Sequence, residues 1–396
     1  MSGFMRVFSA GYRIFFLMAG LFAVFTMLVW EGWLAVHAAG GMVNDMPFGM
    51  APHYWHAHEL VFGYGSAALA GFLMTAAPNW VGGKGAGQAF FAFAAALWVL
   101  GRIVVWWSGA LSPTVVAFAD LVFLPVLAIR ILMLLLQRPK PQQMIFLVVI
   151  AVFWVANLRV HLEWMDVTDD GVAEGLRAGL LTLSALIMVL GGRVTPAFTR
   201  NAMMKAGQQT SLPRDLKPAA AVAIAFALGL PVLTLFGFDG PVFGAIAICA
   251  GVAGLVRLSL WRGGWTLGQP ILWALHLGYA VNAFGLIALG CAVLDVGSEV
   301  AALHLLGIGA VGGMTVAVMS RAALGHSGKA LVAPWPIAMA YGMIPVAALS
   351  RFAASLWPEF YYPGVLVAGA LWIVAFTFFV IELWPVFTGP KANPAG

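Results

Sequence analysis

The 396 residues are 62% hydrophobic and only 9% charged, whereas soluble domains carry about 25% charged residues. This composition excludes a soluble globular protein and indicates an integral membrane protein. The formal net charge of +5 does not require a nucleic-acid partner, because basic residues beside a membrane act as anchors on anionic lipid. We therefore predict contact with the lipid bilayer and no binding of nucleic acid.

Apolar stretches long enough to cross the hydrocarbon layer follow one another along the chain. One crossing needs about 20 apolar residues in a helix, and twelve stretches meet this requirement. Their approximate bounds are 13–38, 53–79, 88–109, 113–137, 142–164, 174–192, 217–237, 240–262, 270–294, 299–322, 331–355 and 363–387. The sequence therefore predicts an all-α, polytopic membrane protein with about twelve transmembrane helices, numbered span 1 to span 12.

Charged residues are distributed unevenly between the two sides of these spans. Sixteen of the 20 Lys and Arg residues lie near the ends of the chain or at even-numbered loops, whereas most Asp and Glu residues lie on the opposite side. Positive charge in short loops marks the cytoplasmic side of a membrane protein. Both termini are therefore predicted to be cytoplasmic, and we call the opposite side the outer side.

No soluble domain is predicted between the spans. The longest polar connection, about residues 193–216, is too short to bury a core of its own. We predict a single transmembrane domain over residues 1–396, with this basic loop on the cytoplasmic side between two six-helix halves. Cys249 and Cys291 lie inside apolar spans without a CxxC spacing, so neither a thiolate metal site nor a redox motif is predicted.

The eight histidines are the most informative chemical feature. Six fall near the outer side in the predicted topology, while His276 lies in the cytoplasmic half of span 9 and His326 in an inner loop. An ionisable side chain within a span is costly unless it faces the protein interior or binds a ligand. Imidazole is also the commonest metal ligand. The candidate ligands are His56, His58, His161, His276 and His304.

Two of these histidines begin span 2. At roughly 100° per residue along a helix, His56 and His58 point about 200° apart, so a helical segment would not let them bind one ion together. His53, His56 and Glu59 repeat every three residues and are expected to share one face. For His53 and His37, a position at the wet membrane interface is a sufficient explanation.

Several other polar side chains lie within the apolar stretches, including Arg102, Asp120 and Arg159. An arginine at membrane depth pairs with carboxylate oxygens, which its guanidinium can bind through two hydrogen bonds. A protein carboxylate such as Glu59 or Glu163 is the simpler partner. A haem propionate is the alternative, and Arg159 is the foremost candidate for it.

Several long segments, in order along the chain, resemble the NnrS family of bacterial membrane proteins. They are "YWHAHELVFGYGSAALAGFLMTAAPNWVG" (54–82), "GGRVTPAFTRNA" (191–202) and "GGMTVAVMSRAALGHSGK" (312–329), together with "NLRVHLEW" and "WALHLGYA". The resemblance extends over essentially the whole chain. It implies a twelve-helix protein of the bacterial cytoplasmic (inner) membrane that binds haem, of the b type, and copper. It also implies a role in nitric oxide metabolism and nitrosative-stress resistance.

The resemblance also implies candidate sites. The family's histidine positions correspond to His56, His58, His161, His276, His304 and His326. With Arg159 added from its membrane depth, the candidates for cofactor binding are His56, His58, His276, His304 and Arg159, and those for metal ligation are His56, His58, His161 and His304. Nitric oxide would be the small-molecule ligand. The resemblance leaves open the electron donor, and whether the protein is an oxidoreductase like nitric oxide reductase or only binds the gas.

A secondary transporter is the alternative function. Twelve helices in six-plus-six order, a basic central loop and charged residues at membrane depth are also typical of transporters, in which buried Arg, Asp and His side chains couple transport to ion movement. Asp120 and Arg102 would then matter more than the histidines.

His276 and His304 are predicted not to share an iron. At 1.5 Å rise per residue, His276 lies about 9 Å inside the membrane from Pro270, and His304 about 8 Å inside from Glu299 at the other side. In a core about 30 Å thick, their levels differ by more than about 10 Å. Two axial nitrogens of one iron are only about 4 Å apart. Unless span 9 is broken or begins well before Pro270, the sequence therefore predicts two centres, or one outer centre with His276 as a proton or hydrogen-bond relay.

Overall fold

The computed structural model describes residues 3–391. The chain is 80% helical, and the described part contains no β-strand. Twelve of its helices are long and apolar enough to cross a membrane, which confirms the predicted all-α fold and identifies a multi-pass membrane protein. The spans are Gly11–Ala38, Pro52–Val81, Gln88–Trp106, Pro113–Leu135, Gln142–Trp164, Gly171–Lys205, Lys217–Leu235, Pro241–Ser259, Pro270–Val293, Glu299–His326, Trp335–Leu356 and Pro358–Thr388.

Three of the spans change from α-helix to π-helix along their length. The π-helical segments are Glu59–Tyr64 in span 2, Ile187–Gly191 in span 6 and Leu305–Gly312 in span 10. In spans 2 and 10 the segment begins directly after a histidine, His58 and His304 respectively. Such segments interrupt the regular hydrogen-bond ladder and are frequent at functional sites.

Span 6 is longer than the sequence predicted. Helix continues through Gly192–Lys205. The prediction of a polar loop over about 193–216 is therefore wrong in its first part, and the loop comprises only residues 206–216. Pro196 lies inside this helix and cannot donate to the carbonyl four residues earlier. Arg257 supplies the missing bond, because its Nη2 donates to Gly192 O at 3.1 Å. The cytoplasmic position of the shortened loop, and its place between two six-helix halves, stay predictions.

Contacts divide the described chain into two compact units. The first comprises residues 3–179, 322–330 and 379–391, and the second comprises residues 180–321 and 331–378. In the first unit, Nη1 of Arg13 donates to Phe387 O at 2.8 Å and to Gly389 O at 2.7 Å. Carbonyls at the end of a helix have no partners within it, so Arg13 fixes the end of span 12 to the beginning of span 1.

Glycines bring spans 8 and 9 of the second unit close together. A Cβ added at Gly244 would lie 2.9 Å from Gly290 O, and one added at Gly251 would lie 2.6 Å from Ile287 Cγ1. Small residues at helix contacts let backbones approach and increase van der Waals contact, which is a main source of helix association in membranes. The packing of the second unit therefore depends on the absence of side chains at these positions.

Candidate metal centre

Six polar side chains meet inside the first unit, and none is more than 8% exposed. We call them the buried cluster. Its members are His58 and Glu59 on span 2, Arg102 on span 3, Asp120 on span 4, and Asn157 and His161 on span 5. A membrane span holds such residues only when they pair with one another or line a functional site.

Helix geometry explains how two of the spans contribute to the cluster. Asn157 and His161 are four residues apart on span 5, so they lie on one face of that helix. His58 is the last residue of the α-helix Pro52–His58, and Glu59 begins the π-helical segment. At this wider π-helical turn, the consecutive side chains of His58 and Glu59 both face the interior of the unit.

Three ligand atoms converge within the cluster. Oδ2 of Asp120 lies 2.8 Å from Nε2 of His161 and 3.3 Å from Nε2 of His58. One ligand atom from each of these residues lies within 4.8 Å of the other two, and all three residues are buried. Imidazole is a ligand for iron, copper and zinc, and two imidazoles with one carboxylate form known sites for iron and zinc. The residues present therefore fit a transition-metal ion held by His58, Asp120 and His161.

The surroundings of His58 support this assignment. Its Nδ1 lies 2.9 Å from Glu59 Oε1, and its Nε2 lies 2.9 Å from Asn157 Oδ1 and 3.3 Å from Asp120 Oδ2. All three oxygens are acceptors, because Asn157 uses its amide nitrogen to donate to Asp120 at 2.8 Å. When both carboxylates are ionised, the His58 ring can satisfy these neighbours in two ways: with a proton on each nitrogen, or with one proton at Nδ1 and a cation at Nε2.

The charges of the cluster also leave a place for one further positive charge. Arg102 pairs with Glu59 through Nη1 and with Asp120 through Nη2, so one guanidinium faces two carboxylates. With both histidines neutral and both carboxylates ionised, the cluster has two negative charges and only one positive charge. An uncompensated buried charge is strongly unfavourable. A proton on the His58 ring or on one carboxylate, or a bound metal ion, would supply the missing positive charge.

His56 lies apart from these ligand atoms. Its ring stacks on Trp30, with ring centroids 4.5 Å apart, so it faces a different neighbour from His58, as the helical angle predicted. The expectation that Glu59 shares the face of His53 and His56 is wrong. Glu59 bonds to His58 and Arg102 inside the cluster, because the helix changes type at Glu59, while His53 is exposed.

His304 lies in the second unit, at the end of the α-helix Glu299–His304. Its Nδ1 donates to Val300 O at 2.7 Å, which leaves the lone pair of Nε2 available. A hydrogen bond of this kind fixes the tautomer and orientation of a metal-binding histidine. A Cβ at nearby Gly307 would meet only Leu180 Cδ1, at 3.9 Å. The backbone beside His304 is therefore clear, as a flat macrocycle bound at Nε2 would require.

His276 also lies in the second unit and is 7% exposed. Thr199 donates its hydroxyl proton to Thr195 O at 2.9 Å, so Nε2 of His276 donates to Thr199 Oγ1, also at 2.9 Å. The lone pair is then on Nδ1, which is buried without a hydrogen-bond partner. Span 9 begins at Pro270 and runs unbroken to Val293, which is the condition on which the predicted separation of His276 from His304 depended. The separation itself stays a prediction.

The remaining candidates have protein partners. Nη2 of Arg159 lies 2.5 Å from Glu174 Oε2, so its partner is a carboxylate other than the two named from the sequence; a haem role for Arg159 stays a prediction. Glu163 accepts from the backbone of Val172 at 2.5 Å. His326 stacks on Tyr12 at 5.7 Å between ring centroids.

Sequence reasoning placed Asp120 and Arg102 outside the metal site. It assigned them to the transporter alternative, whereas the structure brings both into contact with His58 or Glu59. The signal that could have found Asp120 was its isolation inside span 4, because an intramembrane carboxylate is a site candidate by default. No sequence signal links it to His161, since 41 positions separate them.

Comparison with known protein families gives a match over nearly the whole chain. The family model described as NnrS protein matches residues 6–391. The matched range contains all twelve spans and every residue of the buried cluster. No curated protein gave a significant match.

Proposed function

The chain belongs to the NnrS family, and from this membership and the buried His58–Asp120–His161 group we propose a metalloprotein of nitric oxide metabolism. It would lie in the cytoplasmic membrane of bacteria and contribute to nitrosative-stress resistance by binding or reducing nitric oxide. A small neutral gas can enter a transmembrane bundle laterally from lipid, so a site enclosed by spans 2 to 5 is reachable for this substrate.

The convergence of His58, Asp120 and His161 is the observation that carries the proposal. Copper is the ion that the family resemblance implies, and these residues offer it two imidazole nitrogens and one carboxylate oxygen. Glu59 and Asn157 would orient His58, because partners of the ligating rings fix their tautomer. Such a centre would supply redox chemistry for nitric oxide.

A haem of the b type is the second part of the proposal. His304 is the residue that would hold it, because its Nδ1 donates to Val300 O and its Nε2 carries the free lone pair. His276, with an unpartnered Nδ1, is a candidate for a second centre or for a proton relay. His56 stays a candidate from the family resemblance alone.

A secondary transporter remains the second candidate, and one observation favours it. The cluster of Arg102, Glu59 and Asp120 is a buried network of charges, and networks of this kind form proton relays in pumps and transporters. In that case the second positive charge of the cluster would be a proton on His58 and not a metal ion.

Metal analysis and an absorption spectrum of the purified protein test the proposal. We expect wild-type protein from haem-replete, copper-replete cells to show a Soret band and to hold a stoichiometric transition metal. The His58→Ala variant is expected to lose that metal, because one of its three protein ligands is removed and the remaining two bind far more weakly. The measurements are elemental analysis of the detergent-solubilised protein and its visible spectrum.

The His53→Ala variant is the matched control. It changes a histidine on the same short helix that is exposed and lies outside the cluster, so its metal content should equal that of the wild type. Wild-type protein without a Soret band and without a bound transition metal would contradict the proposal and favour the transporter.

A further inference from the structure

A small cavity adjoins the buried cluster inside the first unit. Polar members of the cluster, including Arg102 and Asp120, line one part of it, and Phe62, Phe123 and Leu124 form an apolar wall. It has room for about one water-sized molecule. Because Asp120 belongs both to the cavity lining and to the three converging metal ligands, a molecule in the cavity would contact one ligand of the proposed metal.

One residue of the cavity lining has a hydrogen-bond donor without a partner. Nη1 and Nη2 of Arg102 are engaged by Glu59 and Asp120, whereas Nε is buried without a partner. Ser66, also on the lining, already donates to Gly63 O at 3.0 Å and accepts from Trp98 at 3.1 Å. A buried donor without an acceptor is unfavourable in free energy. A ligand that accepts a hydrogen bond would recover this free energy.

The lining restricts what such a ligand can be. The small volume excludes molecules with more than a few atoms, and the apolar wall of Phe62, Phe123 and Leu124 disfavours ions. The two carboxylates of the cluster, Glu59 and Asp120, further disfavour an anion. Water and a neutral diatomic molecule with a weak acceptor atom both satisfy these conditions, and the apolar wall favours the less polar diatomic molecule.

We propose that this cavity binds one neutral diatomic molecule beside the metal ligands, with Leu124 setting its size limit and Arg102 Nε donating a hydrogen bond to it. The inference rests on the proposed function, in which the diatomic molecule is nitric oxide. It adds the position of the substrate and the residues that select it by size.

Span 4 offers a pair of matched positions for a test. Leu124 lines the cavity and is 3% exposed, while Leu127 lies three residues later on the same helix, is 2% exposed and is not part of the lining. Inserting a larger side chain into a packed interior is destabilising at either position. Leu124→Phe and Leu127→Phe therefore impose similar strain, but only Leu124→Phe fills the cavity.

The experiment is a nitric oxide titration of metal-loaded protein, followed by electron paramagnetic resonance and visible absorption. We expect Leu124→Phe to weaken nitric oxide binding by about tenfold or more while its metal content equals that of the wild type. The Leu127→Phe variant should bind nitric oxide like the wild type. Equal affinity in Leu124→Phe and wild type would overturn the inference and show that the cavity holds only water.

An enlarging variant tests the size limit in the opposite direction. Leu124→Ala should bind ethyl isocyanide at the metal, whereas the wild type should exclude it, because removal of the leucine side chain extends the cavity. Exclusion of ethyl isocyanide by both proteins, or its binding to both, would overturn the assigned role of Leu124. Wild-type protein that binds no metal would instead overturn the proposed function and this inference with it. Metal content therefore distinguishes the two failures.

Discussion

Arg102 joins the two carboxylates of the buried cluster. Its guanidinium contacts Glu59 with one terminal nitrogen and Asp120 with the other, and all three side chains are at most 8% exposed. A buried ion pair adds little net stability when compared with an apolar replacement of the same shape, but loss of one partner leaves the other charge unpaired. Arg102 is therefore the residue on which the charge balance of the cluster depends.

The Arg102→Leu variant should lose much of its stability. We expect the free energy of unfolding to fall by about 3–5 kcal/mol, because Glu59 and Asp120 would remain buried without their guanidinium. The measurement is denaturant or thermal unfolding of the purified protein in detergent micelles.

Arg159→Leu is the control for this prediction. Arg159 and Glu174 form an ion pair in which both side chains are 30% exposed, and an exposed pair contributes only about 0–1 kcal/mol. The control should therefore unfold nearly like the wild type. Equal losses in the two variants would contradict the view that Arg102 is special because its partners are fully buried.

At the residue scale, the sequence predicted which side chains matter better than which of them meet. His58 and His161 were candidates because imidazoles inside spans are costly without a role, and the structure brings them to Asp120. It does not bring His56 there, although only two positions separate it from His58. Which side chains meet depends on how spans 2 to 5 pack, and a single sequence contains no record of that packing.

At the scale of elements, the π-helical segment of span 6 is held by Arg257 of span 8. The guanidinium donates to Met188 O at 3.3 Å and to Gly192 O at 3.1 Å, and it pairs with Asp215 at 2.9 Å. Gly192 admits it, because a Cβ there would lie 2.6 Å from Nη1 of Arg257. A hydrophobic pattern predicts that a span exists, but it does not predict where the helix widens.

The ends of the helices are also predicted only in part by the hydrophobic pattern. Span 9 begins at Pro270, as expected, because proline is favoured in the first turn of a helix. Span 6 extends to Lys205 rather than to about residue 192, because amphipathic helix continues after the apolar stretch has ended. A hydropathy pattern shows which residues lie in the apolar layer of the membrane. It does not show where the helix that crosses this layer ends.

The contact between spans 8 and 9 gives a prediction at this scale. Gly251→Ala should lower the free energy of unfolding by about 1–3 kcal/mol, because the added methyl group overpacks the contact. Its Cβ would meet the backbone oxygen of Ala283 and lie 2.6 Å from Ile287 Cγ1. The measurement is again unfolding in detergent micelles.

Gly229→Ala in span 7 is the matched control. A Cβ at Gly229 would meet no atom within 4 Å, so the exchange should be neutral or stabilise the helix by up to about 1 kcal/mol. An unchanged stability in Gly251→Ala would mean that spans 8 and 9 can separate without loss, and that their close approach does not hold the second unit together.

At the scale of the whole molecule, the distribution of basic residues predicts an orientation in the membrane. Sixteen of 20 Lys and Arg residues lie on the side assigned to the cytoplasm. The number of spans, twelve, is even, and an even number of crossings puts both termini on the same side of the membrane. In this orientation the loop at residues 165–170 is outside and the loop at residues 206–216 is inside. His58, near the beginning of span 2, then lies closer to the outer side.

Single cysteines test this orientation in intact cells. Cys249 and Cys291 are first replaced by alanine, and one cysteine is introduced in an exposed loop position, Asp169→Cys or Gln209→Cys. A maleimide that cannot cross the membrane should label Asp169→Cys in intact cells and Gln209→Cys only after the cells are opened, because short loops rich in positive charge are retained in the cytoplasm. The reverse labelling pattern would show that the protein has the opposite orientation in the membrane. It would place His58 nearer the cytoplasm, so that protons would reach the buried cluster from the cytoplasm rather than from outside.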